Sequence, residues 1–244
     1  MAYQLAIDVG NTRTKYGLFK DEVLEHSVSV KNEDLQNNNA LFSEYSVEAI
    51  IVSSVNDEAL EKLALDQFAG EVIYLSKDLK LPYQLKYDSP ETLGKDRIAV
   101  VAAAQKIFPN QNVLTIDAGT CVTYDFLTNE SHYLGGAISP GVQLRLRAMN
   151  SYTSKLPLVD WVSSEKPAYI GNTTISSMLS GVVNGLIGEM KAFVQDYEKQ
   201  CSDLKIVITG GDANFFEKEL KNGIFADQNL VLIGLHEILK HNRD

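Results

Sequence analysis

Short apolar and β-branched runs punctuated by glycine turns set the rhythm of this chain. Residues 3–8 and 14–19 flank Asp8-Val9-Gly10-Asn11-Thr12 and predict a β-hairpin. A strand follows at 49–53, and the spacing of Leu60, Leu63 and Phe68 predicts a helix over 58–68. Pro90 and Gly94 bound a loop, after which the alanine-rich stretch 97–108, stopped by Pro109, predicts a buried helix. A second hairpin is predicted from 113–117 and 122–127, around Asp117-Ala118-Gly119-Thr120. Asp8 and Asp117, like Gly10 and Gly119, stand at one offset of 109 residues, so the chain reads as a duplication. Further on, the pattern predicts a turn over 135–141, a helix at 142–149 and an irregular stretch around Trp161. A long helix over 173–200, a strand at 205–209, the pair Gly210-Gly211 and a last helix near 234–241 complete it. Alternating strands and helices predict an α/β protein of two similar halves, residues 1–110 and 111–244.

Composition narrows what such a protein can bind. With 45% apolar residues in 244, a packed core is within reach. The 32 acidic against 22 basic side chains give a net charge of -10, which repels nucleic acid and anionic lipid, so no nucleic-acid or membrane partner is expected. Any polyanion must be met by local groups. No uncharged apolar run reaches the roughly 18 residues of a membrane span, and no basic leader precedes an apolar stretch. Cys121 and Cys201 are too few for a disulfide framework and lack metal-ligand spacing, which predicts a cytoplasmic protein. His26, His132, His236 and His241 also lack ligand spacing.

The chemistry concentrates in the two acidic turns. In each, a strand ends in Asp, and a glycine two positions on lets the backbone approach a ligand without a Cβ in the way. Turn amides can then point at phosphate oxygens, with Thr12 and Thr120 adding hydroxyls and Lys15 a positive charge. Asp8 and Asp117 suit magnesium held through its waters, because that ion keeps much of its hydration shell. One Asp-x-Gly between strands is an ordinary hairpin turn; two at one offset are not. Gly210-Gly211 after the strand 205–209 offers bare backbone to an adenine or ribose. Asp96 and Arg97 open the apolar helix, where a carboxylate is favoured by the helix dipole. In a phosphotransferase such a carboxylate can accept the proton of the attacking hydroxyl, and the Arg can hold an anionic substrate.

Taken together these motifs resemble type III pantothenate kinase, a bacterial enzyme of the actin-like and sugar-kinase superfamily. The resemblance runs through Asp8-Val9-Gly10-Asn11-Thr12 with Lys15, Ser53-Ser54-Val55, Tyr87 with Pro90, and Leu93-Gly94-Lys95-Asp96-Arg97. It continues in Asp117-Ala118-Gly119-Thr120 with Thr123, then 135–141, Leu156-Pro157, Gly171 with Thr174, Ser180-Gly181 and Thr209-Gly210-Gly211. It implies a duplicated actin-like (ribonuclease H-like) fold with mixed sheets flanked by helices. It also implies transfer of the γ-phosphate of ATP to the primary hydroxyl of pantothenate, the first step towards coenzyme A. By similarity Asp96 is the general base, and Tyr87, Gly94, Lys95, Arg97 and Thr174 surround pantothenate. Asp8, Gly10, Asn11, Thr12, Lys15, Asp117, Gly119 and Thr120 serve magnesium and the phosphates, with Gly210 and Gly211 at the adenosine.

The resemblance further implies a homodimer whose partner completes the substrate pocket, and a monovalent cation, potassium or ammonium, at or near Asp117. Cys121 stands where the family usually has alanine, and Thr173 where asparagine commonly precedes the threonine matched to Thr174. Two alternatives stay open at this point: a kinase of another small hydroxy acid or sugar, and a non-catalytic regulator on the same fold.

Overall fold

The first glycine turn joins β1 (Tyr3–Val9) to β2 (Arg13–Lys20), which pair antiparallel with Asp8 opposite Lys15. The computed structural model describes residues 3–38, 44–162, 165–220 and 224–243. After β2 come β3 (Val23–Lys31), a 3-10 turn at Asn32–Asn38, β4 (Val47–Ser54), the one-turn helix α1 (Asp57–Glu61), β5 (Glu71–Tyr74), β6 (Gln84–Leu85) and α2 (Lys95–Ile107). The second hairpin is β7 (Val113–Ala118) and β8 (Cys121–Leu127), followed by β9 (His132–Pro140), α3 (Val142–Ser151), α4 (Thr174–Leu179) and α5 (Gly185–Gln200). The chain ends with β10 (Lys205–Thr209), α6 (Ala213–Leu220), β11 (Ile224–Ala226) and α7 (Leu230–Arg243).

Two compact units form. The first comprises Met1–Pro109, Ser131–Tyr133 and Asn229–Asp244, the second Asn110–Glu130 and Leu134–Gln228. In the first, the strand order is β3-β2-β1-β4-β5, with β1 antiparallel to β2 and parallel to β4, and β4 parallel to β5. In the second, the order is β9-β8-β7-β10-β11, with β7 antiparallel to β8 and parallel to β10, and β10 parallel to β11. These five strands repeat the order of the first sheet, and the second sheet adds β6, parallel to β9, as a sixth. That is the duplicated actin-like fold with mixed sheets that the sequence predicts.

Each unit buries its own core. Leu5, Ile7, Val9, Tyr16, Leu18, Ile50 and Val52 fill the first against β1, β2 and β4. Its helices α2 and α7 meet closely because both sides of the contact are small. Ala99 to Ala104 are fully buried, and a Cβ on Gly234 would stand 1.7 Å from the Ala99 carbonyl oxygen. This contact places the last helix in the first unit, although the sequence reading left residues 229–244 in the second half. In the second unit Tyr124, Leu146, Met178, Leu186, Met190 and Phe216 pack around β7, β8 and β10.

The structure departs from the sequence pattern in four places. The helix expected over 58–68 is only α1, which ends at Glu61, and a 3-10 turn at Leu65–Gln67; Ala64 between them takes a left-handed backbone (φ 47°), so the two cannot run on as one helix. The turn expected over 135–141 is mostly strand β9. Its glycines serve close approach instead, since a Cβ on Gly136 would lie 1.6 Å from the Tyr124 carbonyl oxygen. The helix over 173–200 is continuous only through a π-helical turn at Ser180–Asn184. The last helix begins at Leu230, earlier than 234. Strands β3, β5 and β11 and helix α6 carry signals the pattern did not separate; β3 is largely exposed along its length and short of core-facing positions.

Candidate active site

In the first unit the turn after β1 is built by bonds that leave Asn11 and Thr12 exposed. The Gly10 amide donates to the Arg13 carbonyl at 3.0 Å, and a Cβ at Gly10 would also lie 3.0 Å from that oxygen. Two asparagines from elsewhere in the unit grip the turn. Asn32 Nδ2 donates to the Gly10 carbonyl at 2.9 Å, its backbone amide donates to the Thr12 carbonyl at 3.0 Å, and its Oδ1 accepts from the buried Thr14 hydroxyl at 2.9 Å. Asn56, the N-cap of α1, donates Nδ2 to the Asn11 carbonyl at 3.3 Å. Neither residue is marked by the sequence, because nothing local distinguishes an asparagine that reaches back to a distant turn.

Asp8 sits beside this turn with Lys15 and Ser53 as its cross-strand neighbours on β2 and β4. Burial pushes its carboxyl up to about 6, against the Lys15 charge; repulsion from Asp96 adds to the rise, and a hydrogen bond from Ser53 opposes it. The coupling places Asp96, at the start of α2, within electrostatic reach of Asp8. Asp96 is exposed, and its Oδ1 accepts from the Arg97 amide at 2.8 Å. Gly94, the N-cap of α2, makes room for it: a Cβ there would stand 2.4 Å from that same oxygen. Lys95 turns away from solvent and donates to the Ser54 carbonyl at 3.1 Å, tying the start of α2 to the end of β4. Arg97 is buried, with its guanidinium 5.7 Å from the centre of the Tyr87 ring, and Tyr87 stacks on Tyr133 at 6.0 Å. Asp8, Lys15, Gly94, Asp96, Arg97 and Tyr87 are thus gathered in one unit.

In the second unit the Gly119 amide donates to the Cys121 carbonyl at 3.0 Å, and the Thr120 carbonyl accepts from Gly141 at 2.9 Å. Asp117 has Thr123 and Thr209 as its cross-strand neighbours. Where the first unit sets a lysine and a serine beside its aspartate, this one sets two threonines. Both hydroxyls are buried, at residues 7% and 1% exposed, and make no hydrogen bond among the described residues. Gly210 turns the chain with φ +96°, and a Cβ there would meet the Ala118 carbonyl oxygen at 2.4 Å and Asp117 Oδ1 at 2.5 Å. Gly211 faces open space. Asp212, which the sequence reading passed over, donates its amide to the Ala118 carbonyl at 3.0 Å, and burial pushes its carboxyl up to about 6.

Thr173 caps α4, accepting from the Ser176 amide at 3.1 Å while Ser176 Oγ accepts from the Thr173 amide at 2.9 Å. Thr174 is exposed and outside that exchange. Among the described residues no group of three or more His, Cys, Asp or Glu side chains is placed to enclose a metal. Among the same residues no helix is long and apolar enough to cross a membrane.

The profile of the type III pantothenate kinases matches residues 4–196. A type III pantothenate kinase of Christiangramia forsetii is 42% identical over 243 residues, covering 98% of both chains. One from Flavobacterium psychrophilum is 41% identical, covering 98% of this chain and 99% of its own. Among solved structures, a conserved Baf family protein from Campylobacter jejuni superimposes with a TM-score of 0.64 at 21% identity, over 98% of each chain. A glucokinase from an Antarctic psychrotroph does so with a TM-score of 0.52 at 14% identity, over 98% of this chain and 99% of its own. At those identities the two structures bear on the fold alone.

Proposed function

The chain belongs to the type III pantothenate kinase family, its reaction is the ATP-dependent phosphorylation of pantothenate in coenzyme A biosynthesis, and we propose that Asp96 is the base that receives the hydroxyl proton. The observation that carries this assignment is the exposed Asp96 carboxylate whose Oδ1 accepts from the Arg97 amide at 2.8 Å and lies over Gly94, where a Cβ would stand 2.4 Å from that oxygen. Its free oxygen takes the proton of the pantothenate hydroxyl, the alkoxide oxygen bonds to the γ-phosphorus, and ADP leaves with the electrons of the broken P–O bond. Arg97 and Tyr87, fixed against each other, receive the pantothenate carboxylate and backbone, with Gly94 and Thr174 completing the surroundings. Thr173 is committed to the helix cap, which favours Thr174 for that role. Lys95, assigned to substrate from the sequence, spends its charge on the Ser54 carbonyl and serves by fixing the start of α2.

For the nucleotide, Gly10, Asn11, Thr12 and Lys15 are the phosphate-binding candidates of the first unit; within the second unit Gly119 and Thr120 are phosphate-binding candidates and Gly210 with Gly211 offers backbone to an adenosine. A kinase of this family works on ATP with a divalent ion. The ion is magnesium in this reading, and Asp8 in the first unit and Asp117 in the second each suit the part of an outer carboxylate; when bound the ion would screen the charge of the phosphates. Burial raises the Asp8 carboxyl to about 6, and a cation bound beside it would favour its charged form. A monovalent cation, potassium or ammonium, fits beside Asp117. The buried hydroxyls of Thr123 and Thr209, which flank Asp117 on the neighbouring strands, have no hydrogen-bond partner among the described residues and could serve as oxygen ligands.

Large apolar side chains stay exposed on the second unit, among them Tyr152, Ile170, Tyr169 and Ile138. They suit a homodimer in which a second copy covers this surface and completes the pantothenate pocket. A cytoplasmic location fits two free cysteines. The test of the whole reading is a coupled assay of ADP release with magnesium, with and without potassium. Release that depends on pantothenate and rises with potassium supports it. ADP release indifferent to pantothenate would return the chain to the other kinases of the fold, and none at all to a regulator.

A further inference from the structure

We propose that Asn32 and Asn56 are positioning residues that hold three successive carbonyl oxygens of the first turn away from the phosphates, leaving its amides free to bind them. The proposal rests on the reading of that turn as a phosphate site. The Gly10 carbonyl accepts from Asn32 Nδ2, the Asn11 carbonyl from Asn56 Nδ2 and the Thr12 carbonyl from the Asn32 amide. In a trans peptide the carbonyl of one residue and the N–H of the next point in opposite directions, and this protein has no cis peptide among its described residues. Fixing the Gly10 and Asn11 carbonyls therefore fixes the amides of Asn11 and Thr12 on the opposite side. A carbonyl free to swing there would set a partial negative charge against the phosphate, and its restraint is preorganisation for an anion.

Both asparagines are locked end for end. Asn32 Oδ1 accepts from the buried Thr14 hydroxyl, and Asn56 Oδ1 accepts from the Ala59 amide at 2.9 Å, so each NH2 group is turned to the loop. In the second turn a backbone bond from Gly141 to the Thr120 carbonyl does a similar job without a side chain. The asparagine clamp thus belongs to the first turn. It uses residues 22 and 45 positions from their targets.

The variants Asn56→Ser, Asn32→Asp and Lys15→Ala, each in the full chain, separate the possibilities. Serine at 56 keeps a helix cap but lacks the reaching donor, and aspartate at 32 keeps the acceptor for Thr14 but loses the donor. Each lost bond is expected to raise KM for ATP about threefold to tenfold, with KM for pantothenate and the melting temperature unchanged, and Lys15→Ala raises KM for ATP as well. If Lys15→Ala raises it and the asparagine variants do not, the clamp is overturned and the phosphate reading stands. If Lys15→Ala also leaves it unchanged, the phosphate reading falls and takes the clamp with it. A rise in both substrates' KM together with a lower melting temperature would make the asparagines merely structural, and would also overturn the proposal.

Discussion

Replacing Gly119 with alanine separates the fold from the phosphate site. In the protein without ligand, a Cβ at 119 would meet Asp117 Oδ1 at 3.7 Å and the Cys121 carbonyl oxygen at 3.8 Å, ordinary van der Waals distances, and the backbone there is not left-handed. The variant should therefore fold with stability within about 0.5 kcal/mol of the wild type. A phosphate oxygen bound to a turn amide needs an N···O distance of about 2.9 Å, and a methyl group on the same face pushes it out of that range. Losing one such charge-assisted bond costs about 1.5–3 kcal/mol, which is a tenfold to hundredfold weaker ATP complex. Titration calorimetry with a non-hydrolysable ATP analogue measures the affinity, and thermal unfolding measures the fold. A variant that melts like the wild type and binds the analogue equally well would refute the assignment of this turn to the phosphates. Gly10→Ala is less decisive, because its Cβ already crowds the Arg13 carbonyl.

Two further predictions concern the first unit. Gly234→Ala should lower the unfolding free energy by about 3 kcal/mol in urea titrations despite alanine's better helix propensity, because its Cβ would drive into the Ala99 carbonyl of α2 and backbone cannot step aside. His236 is fully buried, stacked on Phe19 at 4.0 Å with Nε2 2.8 Å from Gln4 Oε1. Burial, and then the nearby Lys106 and Lys240 charges, push its pKa down to about 3, with Glu22 opposing. Because the folded value lies below the unfolded one, near 6.5, the neutral ring's contribution is complete above pH 6.5 and is lost as pH falls towards 3. Between pH 7 and pH 5 the loss is about 2 kcal/mol. Urea unfolding at both values should show it in the wild type, and His236→Phe should lack that part of the slope; an equal slope in both would remove the ring from the account.

The parts of the molecule visible in the sequence are those whose physics is local. Asp8 and Asp117 announce their turns because a strand ending in a carboxylate and followed by glycine is a short-range pattern, and its repetition exposes the duplication. The buried run from Ala99 to Ala104 is legible as a helix for the same reason. Gly135 and Gly136 misled because glycine signals a turn and a close approach equally well, and only the Tyr124 carbonyl beside Gly136 decides between them. Ala64 separates α1 from the 3-10 turn after it through a backbone angle that its side chain does not foretell. Asn32 and Asn56 were missed at the site itself, since their partners lie tens of residues away and are brought near only by β-sheet pairing. Lys95 is legible as part of the Gly94-Lys95-Asp96-Arg97 motif, but its bond to the Ser54 carbonyl, 41 residues away, is not.

The central claim is that the Asp96 carboxylate receives the proton of the pantothenate hydroxyl, and Asp96→Asn tests it most directly. The amide oxygen of asparagine can still accept from the Arg97 amide, and Gly94 leaves the space it needs, so the start of α2 should keep its shape. Single-turnover phosphorylation of pantothenate, measured beside the dissociation constant for ATP, should show a rate lower by about a hundredfold to ten-thousandfold with ATP affinity preserved. A rate near that of the wild type would contradict the account.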